Sequence, residues 1–471
     1  MKKSFIYIFS AFCFSCGINS CSFLDENPVD RLVVDNFYTS EKDAQAAVDA
    51  TYQQLNSLYN RLMYMMAELP TDMMKNGLGM PNANLQDLEF LRFNSQNTFV
   101  KDMWKNCYSG ISRANTAIAK IPEIKMNESK KNRLIAEART LRALYYFNLV
   151  RFFGDVPLIL DLKTVEDSKG PRDSKELIYD QIIEDLTFAE EHLPLRSEYS
   201  ASDEGRINKG AAKILFGKVY LTKGDFQKAK DKLAEVVEHE SEYGFGLHKD
   251  YHANWLRDTE AGLYIEYKEP PFQHNGEMAL AGPKYSIPGS LGISALNEAD
   301  IPTQELYDQF DNRDLRKKTN FKTEFAHLKT GEILKSSIPL SGKFWVEGLE
   351  TGDRCDVNMH IIRYADAILM YAEALNEVGE STKALAMLNR IRERAFGDDS
   401  GNFKPMSKDE FRTAILNERR LEFPHEGHRW FDLVRTGTFI QRMKEHSAYE
   451  AKVAEANKTE IAQNIKEHMI L

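Results

Sequence analysis

The chain has 471 residues, of which 42% are hydrophobic and 28% are charged, so it contains enough apolar material for a large core and does not resemble a disordered chain. Its 61 Lys and Arg residues against 71 Asp and Glu residues give a net charge of −10, which argues against nucleic acid as a partner because phosphate binding requires a cationic face. No apolar run approaches the roughly 20 residues of a membrane-spanning helix, which argues against an integral helical membrane protein.

The first 20 residues are typical of a secretory signal peptide. Lys2 and Lys3 precede an almost purely apolar run of ten residues, Phe5 to Phe14, which suits the core of such a signal and is too short to cross a bilayer. The following Ile18-Asn19-Ser20-Cys21 resembles the cleavage box of bacterial lipoproteins, in which the cysteine carries the lipid. We therefore expect cleavage after residue 20 and a palmitate-type anchor on Cys21, since diacylglyceryl and N-acyl chains together suffice for stable attachment.

Two acidic residues, Asp25 and Glu26, follow the expected lipidation site. They resemble the signal that directs some lipoproteins to the cell surface, so we expect the protein to face the cell exterior.

Two further cysteines, Cys107 and Cys355, are too few for a disulfide framework, even in an oxidising compartment. A single bridge between them and two separate buried thiols are both open, and the separate thiols fit better.

The periodicity of the apolar residues is helical almost wherever it is clear. One stripe runs from Lys101 to Ile121, and a second from Leu134 to Leu149, before Gly154-Asp155-Val156-Pro157. A third stripe runs from Leu177 to Leu193 and ends at Pro194. The sequence therefore predicts three long helices in this part of the chain.

Two helix-turn-helix patterns share the same spacing and resemble tetratricopeptide units. Each begins with a small residue, Gly217 or Ala372, followed by buried-type residues at +3, +12, +16 and +19. These followers are Tyr220, Ala229, Leu233 and Val236 in the first pattern and Leu375, Ala384, Leu388 and Ile391 in the second. Because the two patterns lie 155 residues apart, far beyond the tandem period of about 34, we expect separate helix pairs that pack together.

Two stretches differ from this helical pattern, namely residues 70–98 and 240–358, which are rich in turn formers and aromatic residues. We expect one compact, mainly α-helical unit with an irregular, loop-rich lobe. Its parts are a signal peptide at 1–20, a helix-pair part at 21–239, the irregular insert at 240–358 and a C-terminal helical part at 359–471.

The irregular stretches are where we expect the ligand, because binding residues are often carried by loops on a rigid scaffold. Aromatic residues on the helical stripes are committed to packing, so the candidates are those carried by loops, together with nearby asparagine. They are Asn76, Phe90, Phe93, Phe272, His274, Tyr285 and Trp345. For each aromatic residue, anchoring of its loop in the core is the alternative.

The most conspicuous charged motif runs from Asn417 to Leu433 and contains His, Glu and Asp at close range. The H-E-x-x-H spacing of zinc proteases is absent, and Pro424 and Gly427 argue against a regular helix that would align the histidines. We therefore predict no metal site and a structural network of ion pairs. Its members are Glu418, Arg419, Glu422, Glu426, His428, Arg429, Trp430 and Asp432.

No nucleophile elbow, phosphate loop or dinucleotide fingerprint occurs in the sequence. Glycosidases need two carboxylates that flank the scissile bond, and with 71 acidic residues the sequence does not single out such a pair. We therefore expect no cofactor, and the lack of a distinguishable catalytic pair weighs against a glycosidase.

Several stretches occur in one order along the chain and together carry a family resemblance. They are Cys21-Ser22-Phe23-Leu24-Asp25, Ala136-Glu137-Ala138-Arg139 through Leu141-Arg142-Ala143, Phe153-Gly154-Asp155-Val156-Pro157-Leu158, Pro302-Thr303 through Leu306-Tyr307 with Asp314-Leu315-Arg316, Arg363-Tyr364-Ala365-Asp366, Met370-Tyr371-Ala372-Glu373-Ala374-Leu375-Asn376, and Glu426-Gly427-His428-Arg429-Trp430-Phe431-Asp432-Leu433. The chain resembles the SusD/RagB outer-membrane nutrient-binding lipoproteins of Gram-negative bacteria.

This resemblance implies four tetratricopeptide-like helix pairs, an irregular ligand lobe and no catalytic activity. It also implies an outer-membrane location, an oligosaccharide ligand and a SusC-like TonB-dependent transporter as partner. It assigns no ligand residue by position. The chain ends at His468-Met469-Ile470-Leu471, where members of the family continue into a Pro-Ile-Pro tail.

Three alternatives to oligosaccharide binding stay open at this point. One is a peptide-binding member of the same family, the second is a surface glycosidase, and the third is a helix-repeat scaffold with protein contacts alone.

Overall fold

The computed structural model describes residues 38–77, 82–161, 170–253, 260–268 and 275–453. The helices in these ranges are α1 (Glu41–Tyr59), α2 (Leu62–Glu68), α3 (Ala83–Glu89), α4 (Thr98–Lys120), α5 (Glu128–Phe153), α6 (Lys175–His192), α7 (Lys209–Lys223), α8 (Phe226–Val237), α9 (Glu240–Tyr243), α10 (Glu277–Ala281), α11 (Gln304–Gln309), α12 (Arg316–Asn320), α13 (Tyr364–Glu377), α14 (Ser381–Phe396), α15 (Lys408–Glu422), α16 (Arg429–Arg435) and α17 (Phe439–Val453). The strands are β1 (Met74–Asn76), β2 (Ala261–Ile265), β3 (Asp300–Pro302), β4 (Phe321–Ala326), β5 (Ile333–Ser341) and β6 (Met359–Arg363). Within the described part of the chain, we find no helix whose length and apolar character would let it span a membrane.

In the described part of the chain, the scaffold consists of four helix pairs that stack in one continuous row. The pairs are α1 with α4, α5 with α6, α7 with α8, and α13 with α14. Neighbouring pairs contact each other through α4 and α5, α6 and α7, and α8 and α13. The last contact is between helices that are far apart in sequence, since α8 ends at Val237 and α13 begins at Tyr364. The prediction of a mainly α-helical, tetratricopeptide-like scaffold is confirmed.

The three predicted long helices are present as α4, α5 and α6, and the signals at their ends are readable in the sequence. Asn127 caps the start of α5, because its Oδ1 accepts from the backbone N–H of Lys130 at 3.1 Å. The same helix ends at Gly154, whose φ of +66° is unfavourable for other residues. One detail is wrong: Leu177, which we assigned to the buried stripe of α6, lies in its first turn and is exposed.

The shared spacing of the two helix-turn-helix patterns corresponds to close packing of each pair. All eight follower residues are buried. At Gly217, an added Cβ would lie 2.5 Å from Cγ of Leu233 on the partner helix, so only glycine allows α7 and α8 to approach this closely. The two patterns also contact each other through α8 and α13.

The middle of the chain is less irregular than the sequence analysis predicted. Its described residues contribute to three two-stranded antiparallel sheets, which pair β1 with β3, β2 with β6, and β4 with β5. We missed these strands because all but β5 are short and two of the three sheets pair strands that are distant in sequence, so that local patterning carries little signal.

The two cysteines within the described residues, Cys107 and Cys355, are buried free thiols. Burial raises the pKa of both thiols, to about 12 for Cys355, which makes them unreactive at neutral pH. The expectation of two separate thiols is confirmed.

Candidate functional site

The two irregular stretches meet at the pairing of β1 with β3. Met74 pairs with Pro302, and Asn76 pairs with Asp300. Beyond the strand, the backbone N–H of Gly77 donates to the carbonyl of Ala299 at 2.6 Å. A Cβ at Gly77 would lie 2.0 Å from the carbonyl oxygen of Glu298. Glycine is therefore required where the 70–98 stretch contacts the 240–358 stretch.

Asn76 lies at the end of β1, directly before this contact. Its backbone N–H donates to Oε2 of Glu89 at 3.1 Å, and burial raises the pKa of Glu89 to about 7. The side-chain oxygen Oδ1 of Asn76 is buried and has no hydrogen-bond partner among the described residues. A buried acceptor without a donor costs about 1–3 kcal/mol, so as far as the described residues show, this edge of the two stretches holds a polar group that is free to accept a hydrogen bond.

The structure gives Phe90 and Phe93 different surroundings. Phe90 follows α3 and is half-buried, and the guanidinium of Arg92 lies 5.0 Å from its ring centroid. Phe93 packs against the small cluster formed by Leu91 and Met443. Both residues are half-buried, but Phe93 packs against apolar side chains whereas Phe90 contacts a guanidinium.

Among the predicted ligand residues that the structure describes, Tyr285 is the most exposed, with 56% of its surface accessible. Its loop is held by the carboxylate of Glu298. Oε2 of Glu298 accepts from the backbone N–H groups of Lys284, Tyr285 and Ser286 at 2.7, 2.8 and 2.9 Å and from the Ser286 hydroxyl at 2.9 Å. The Lys284 ammonium lies 5.5 Å from the centroid of the Tyr285 ring. The ring is thus exposed while its backbone is fixed.

Trp345 does not present its ring to solvent. It is 9% exposed and packs edge-on against Phe325, with ring centroids 4.8 Å apart. The alternative of loop anchoring in the core therefore describes Trp345 better than a stacking role. Phe272 and His274 lie outside the described residues, as does the anchor residue Cys21.

A buried polar cluster that the sequence analysis missed lies beneath this region. The Tyr64 hydroxyl on α2 contacts Oε2 of Glu277 and, at 3.1 Å, Oδ2 of Asp300. Arg61 donates to Oδ1 of Asp300 at 3.0 Å. Burial raises the pKa of Glu277 well above its ordinary value, and the neighbouring Asp300 raises it further. The three segments are distant in sequence, so no local pattern could have revealed the cluster.

The charged motif at 417–433 forms a buried junction of α15, α16, β6 and α12, and it also contacts the start of the 70–98 stretch through Asp72. The carboxylate of Glu422 accepts from the guanidinium groups of Arg316 at 3.0 Å and Arg363 at 2.8 Å, and it also contacts Arg394. These three cations lower the pKa of Glu422, although its burial acts in the opposite direction. Every one of these side chains is buried.

The other residues of the motif have similar partners. Glu418 contacts Arg316 and Arg392, Glu426 contacts Lys343 and Arg363, Arg419 contacts Asp366 and Asp432, and Arg429 contacts Asp72. His428 stacks on Phe423, and Trp430 packs edge-on against Phe439. Burial and the nearby Lys218 lower the pKa of His428 to about 3, so this imidazole is neutral. The whole motif is thereby engaged in internal contacts.

The arrangement around Tyr285 is suited to binding. The carboxyl groups of Glu277 and Asp300 are both buried and contact the Tyr64 hydroxyl, so they are not exposed to a glycosidic bond at the surface. Within the described ranges, no group of three or more His, Cys, Asp and Glu side chains is arranged to hold a metal ion.

Comparisons with known protein families give two matches. Residues 22–221 match a family described as starch-binding and associating with the outer membrane, and residues 341–470 match the SusD family. The chain is 30% identical to SusD-like protein P2 of Formosa agariphila, an alignment that covers 88% of this chain and 87% of that protein. It is 26% identical to a SusD-like protein of Bacteroides ovatus over 88% and 79% of the two chains.

Solved structures with the same fold include a laminarin-binding SusD-like protein. It is 28% identical to this chain, with a TM-score of 0.74 and coverage of 87% of this chain and 94% of that one. A SusD homologue from Bacteroides thetaiotaomicron superposes with a TM-score of 0.77 over 92% and 93% of the two chains, at 24% identity.

Proposed function

Because this chain belongs to the SusD family, we propose that it is a non-catalytic lipoprotein of the outer-membrane surface. It binds oligosaccharides and delivers them to a SusC-like TonB-dependent transporter. The observation that carries the proposal is the exposed ring of Tyr285 on a loop that is fixed by Glu298, at the place where the two irregular stretches meet.

The chemistry of a sugar ring supports this assignment. A pyranose presents apolar C–H faces that stack on an aromatic plane, while its hydroxyl groups donate to and accept from short polar side chains. Tyr285 supplies an exposed plane, Phe90 is half-exposed, and Asn76 holds an amide oxygen without a donor among the described residues. The likeness to a laminarin-binding protein further favours a glycan as the ligand.

The placement of the carboxylates supports a non-catalytic role. A glycosidase needs one carboxyl group as acid and a second as base or nucleophile on either side of the bond. Glu277 and Asp300 are buried below the loops, and they share the hydroxyl of Tyr64. They therefore act on the stability of the lobe and do not contact a surface ligand.

The test is a glycan array with a peptide panel beside it, followed by calorimetry on the best ligand. We expect Tyr285→Ala to weaken binding by about 1–3 kcal/mol, the scale known for bases stacked on aromatic side chains, with an unchanged melting temperature. The matched control is Leu177→Ala, because Leu177 is exposed to a similar extent but lies on α6 of the scaffold. Equal affinity of Tyr285→Ala and wild type would place the ligand elsewhere, and binding of peptides alone would change the ligand class.

The anchor and the transporter are tested separately from the ligand. We expect Cys21→Ala to abolish lipid labelling and to release soluble protein that still binds the same glycan. The lipidated protein should co-purify with a TonB-dependent transporter encoded beside it. A Cys21→Ala protein that stays on the outer membrane by itself would overturn the lipoprotein assignment.

A further inference from the structure

We propose that Glu298 is a positioning residue for ligand binding, because its carboxylate fixes the backbone of the Tyr285 loop so that the ring is held ready to stack on a saccharide. This inference rests on the proposed function, since it assumes that Tyr285 contacts the glycan. It concerns a residue that itself faces the protein interior.

The first observation is the concentration of donors on one atom. Oε2 of Glu298 accepts from three successive backbone N–H groups, those of Lys284, Tyr285 and Ser286, and from the hydroxyl of Ser286, all within 2.9 Å. Hydrogen bonds to an ionised acceptor are roughly twice as strong as neutral ones. Glu298 is buried, so water competes little for these bonds. The loop is therefore held at each of its three residues.

The second observation is the backbone conformation of Glu298. Its φ is +51°, in the left-handed region that side chains other than glycine rarely adopt. Such strain persists only where the surroundings over-determine the conformation, and it concentrates at functional sites. Nearby, Ala295 is also left-handed, with a φ of +62°. The segment before β3 is thus bent in a way that the local sequence does not favour.

The surroundings that impose this bend come from both irregular stretches. The backbone N–H of Glu298 donates to the carbonyl of Gly282 at 2.9 Å. On the other side, the carbonyl of Glu298 contacts Gly77, which has no room for a Cβ. Glu298 consequently links the end of β1 to the Tyr285 loop. A change at this residue therefore affects how these two segments are placed relative to each other.

Pre-organisation of this kind increases affinity because less conformational freedom is lost on binding. If Glu298 acts through Tyr285, its contribution should disappear when the ring is absent. A purely structural residue would instead lower affinity by the same factor whether or not Tyr285 is present. A double-mutant cycle separates the two cases.

The experiment measures affinity for the best-binding oligosaccharide of the array, with laminarihexaose as the first probe. The proteins are wild type, Glu298→Ala, Glu298→Gln, Tyr285→Ala and the two double variants. We expect Glu298→Ala to weaken binding about tenfold and Glu298→Gln to weaken it less, since its amide retains one acceptor oxygen. In the Tyr285→Ala background, both changes should alter affinity less than twofold. Glu324→Ala is the control, because Glu324 forms an exposed pair with Lys335 on β4 and β5.

Folding is monitored by the melting temperature, and loop order by amide hydrogen exchange at residues 284–286. We expect faster exchange there in Glu298→Ala. Wild-type affinity of Glu298→Ala, or an equal loss with and without Tyr285, would overturn the positioning role while leaving the proposed function intact. Absence of oligosaccharide binding by the wild type would overturn both.

Discussion

Two buried charge clusters of this protein differ in how their carboxylates are compensated. At the junction of the 417–433 motif, Glu422 contacts three arginines, and their charges lower its pKa. Beneath the Tyr285 region, Glu277 and Asp300 share a single guanidinium, that of Arg61, as far as the described residues show. There, burial dominates and raises the pKa of both carboxyl groups.

In these two clusters, which are buried to the same extent, the charges of the nearby arginines decide the direction of the pKa shift. All three carboxyl groups are at most 2% exposed, yet their pKa values shift in opposite directions. The junction holds the helix pairs to the C-terminal segment. The second cluster includes Asp300 of β3, beside the candidate site. The raised pKa values of its two carboxyl groups mean that their ionisation lowers the stability of the fold.

The largest expected effect is at the junction. We expect Glu422→Gln to lower the free energy of unfolding by about 3–5 kcal/mol, because removing one partner leaves buried guanidinium groups uncompensated. Thermal and denaturant unfolding measure the change. The control is Glu324→Gln in the exposed pair with Lys335, since such pairs contribute about 0–1 kcal/mol. A Glu422→Gln protein as stable as the control would show that the network is not the stabilising feature we describe.

The effect of pH at the same junction is the next in size. Arg419 and Arg435 lower the pKa of Asp432 to about 2, against the opposing effect of burial. A carboxyl group with a lowered pKa in the folded state stabilises the protein above its unfolded pKa of about 4, and this contribution is lost as the pH falls toward 2. The contribution is on the order of 2 kcal/mol, because one pKa unit corresponds to 1.36 kcal/mol.

Unfolding of wild type and Asp432→Asn at several pH values isolates this contribution from those of other acids. We expect the stability difference between the two proteins to be constant above pH 5 and to shrink between about pH 4 and 2. A difference that does not depend on pH would mean that Asp432 acts through its shape and hydrogen bonds and not through its charge.

The scaffold could be predicted from the sequence to a large extent, and the reason is local. Gly217 and Leu233 lie on helices that follow each other directly, as do Ala372 and Leu388 in the second pair. Their spacing in the sequence therefore predicts that the helices of each pair contact each other. Caps such as Asn127 and Gly154 are equally local signals. The charged motif was recognised because its acidic and basic residues are close in sequence. Its partners Asp72 and Arg363 are distant in sequence and were not recognised as partners.

The candidate site could be predicted only in part, because its geometry depends on contacts between distant segments. The pairing of Asn76 with Asp300, the contact of Gly77 with Glu298 and the burial of Trp345 leave no periodic signal. Tyr285 was selected as a loop-borne aromatic residue, but the carboxylate that holds its loop lies 13 positions further along. Neither family match includes residues 222–340, which contain this loop.

The smallest expected effect is at the second cluster, where we expect a substitution to increase the free energy of unfolding and not to lower it. We expect Glu277→Gln to raise the free energy of unfolding at pH 7.5 by about 1 kcal/mol, the usual size of a single stabilising change. A carboxyl group with a raised pKa in the folded state lowers stability as the pH rises above its unfolded pKa of about 4.3, because the unfolded chain ionises first. The neutral amide avoids this loss and retains an oxygen that accepts from Tyr64. The gain of the variant over wild type should therefore be absent near pH 4 and grow as the pH rises, which chemical denaturation at matched pH values measures. The same substitution, Glu to Gln, is expected to destabilise the protein at position 422. If both substitutions changed the free energy of unfolding in the same direction, this would contradict the role that we assign to the nearby cations.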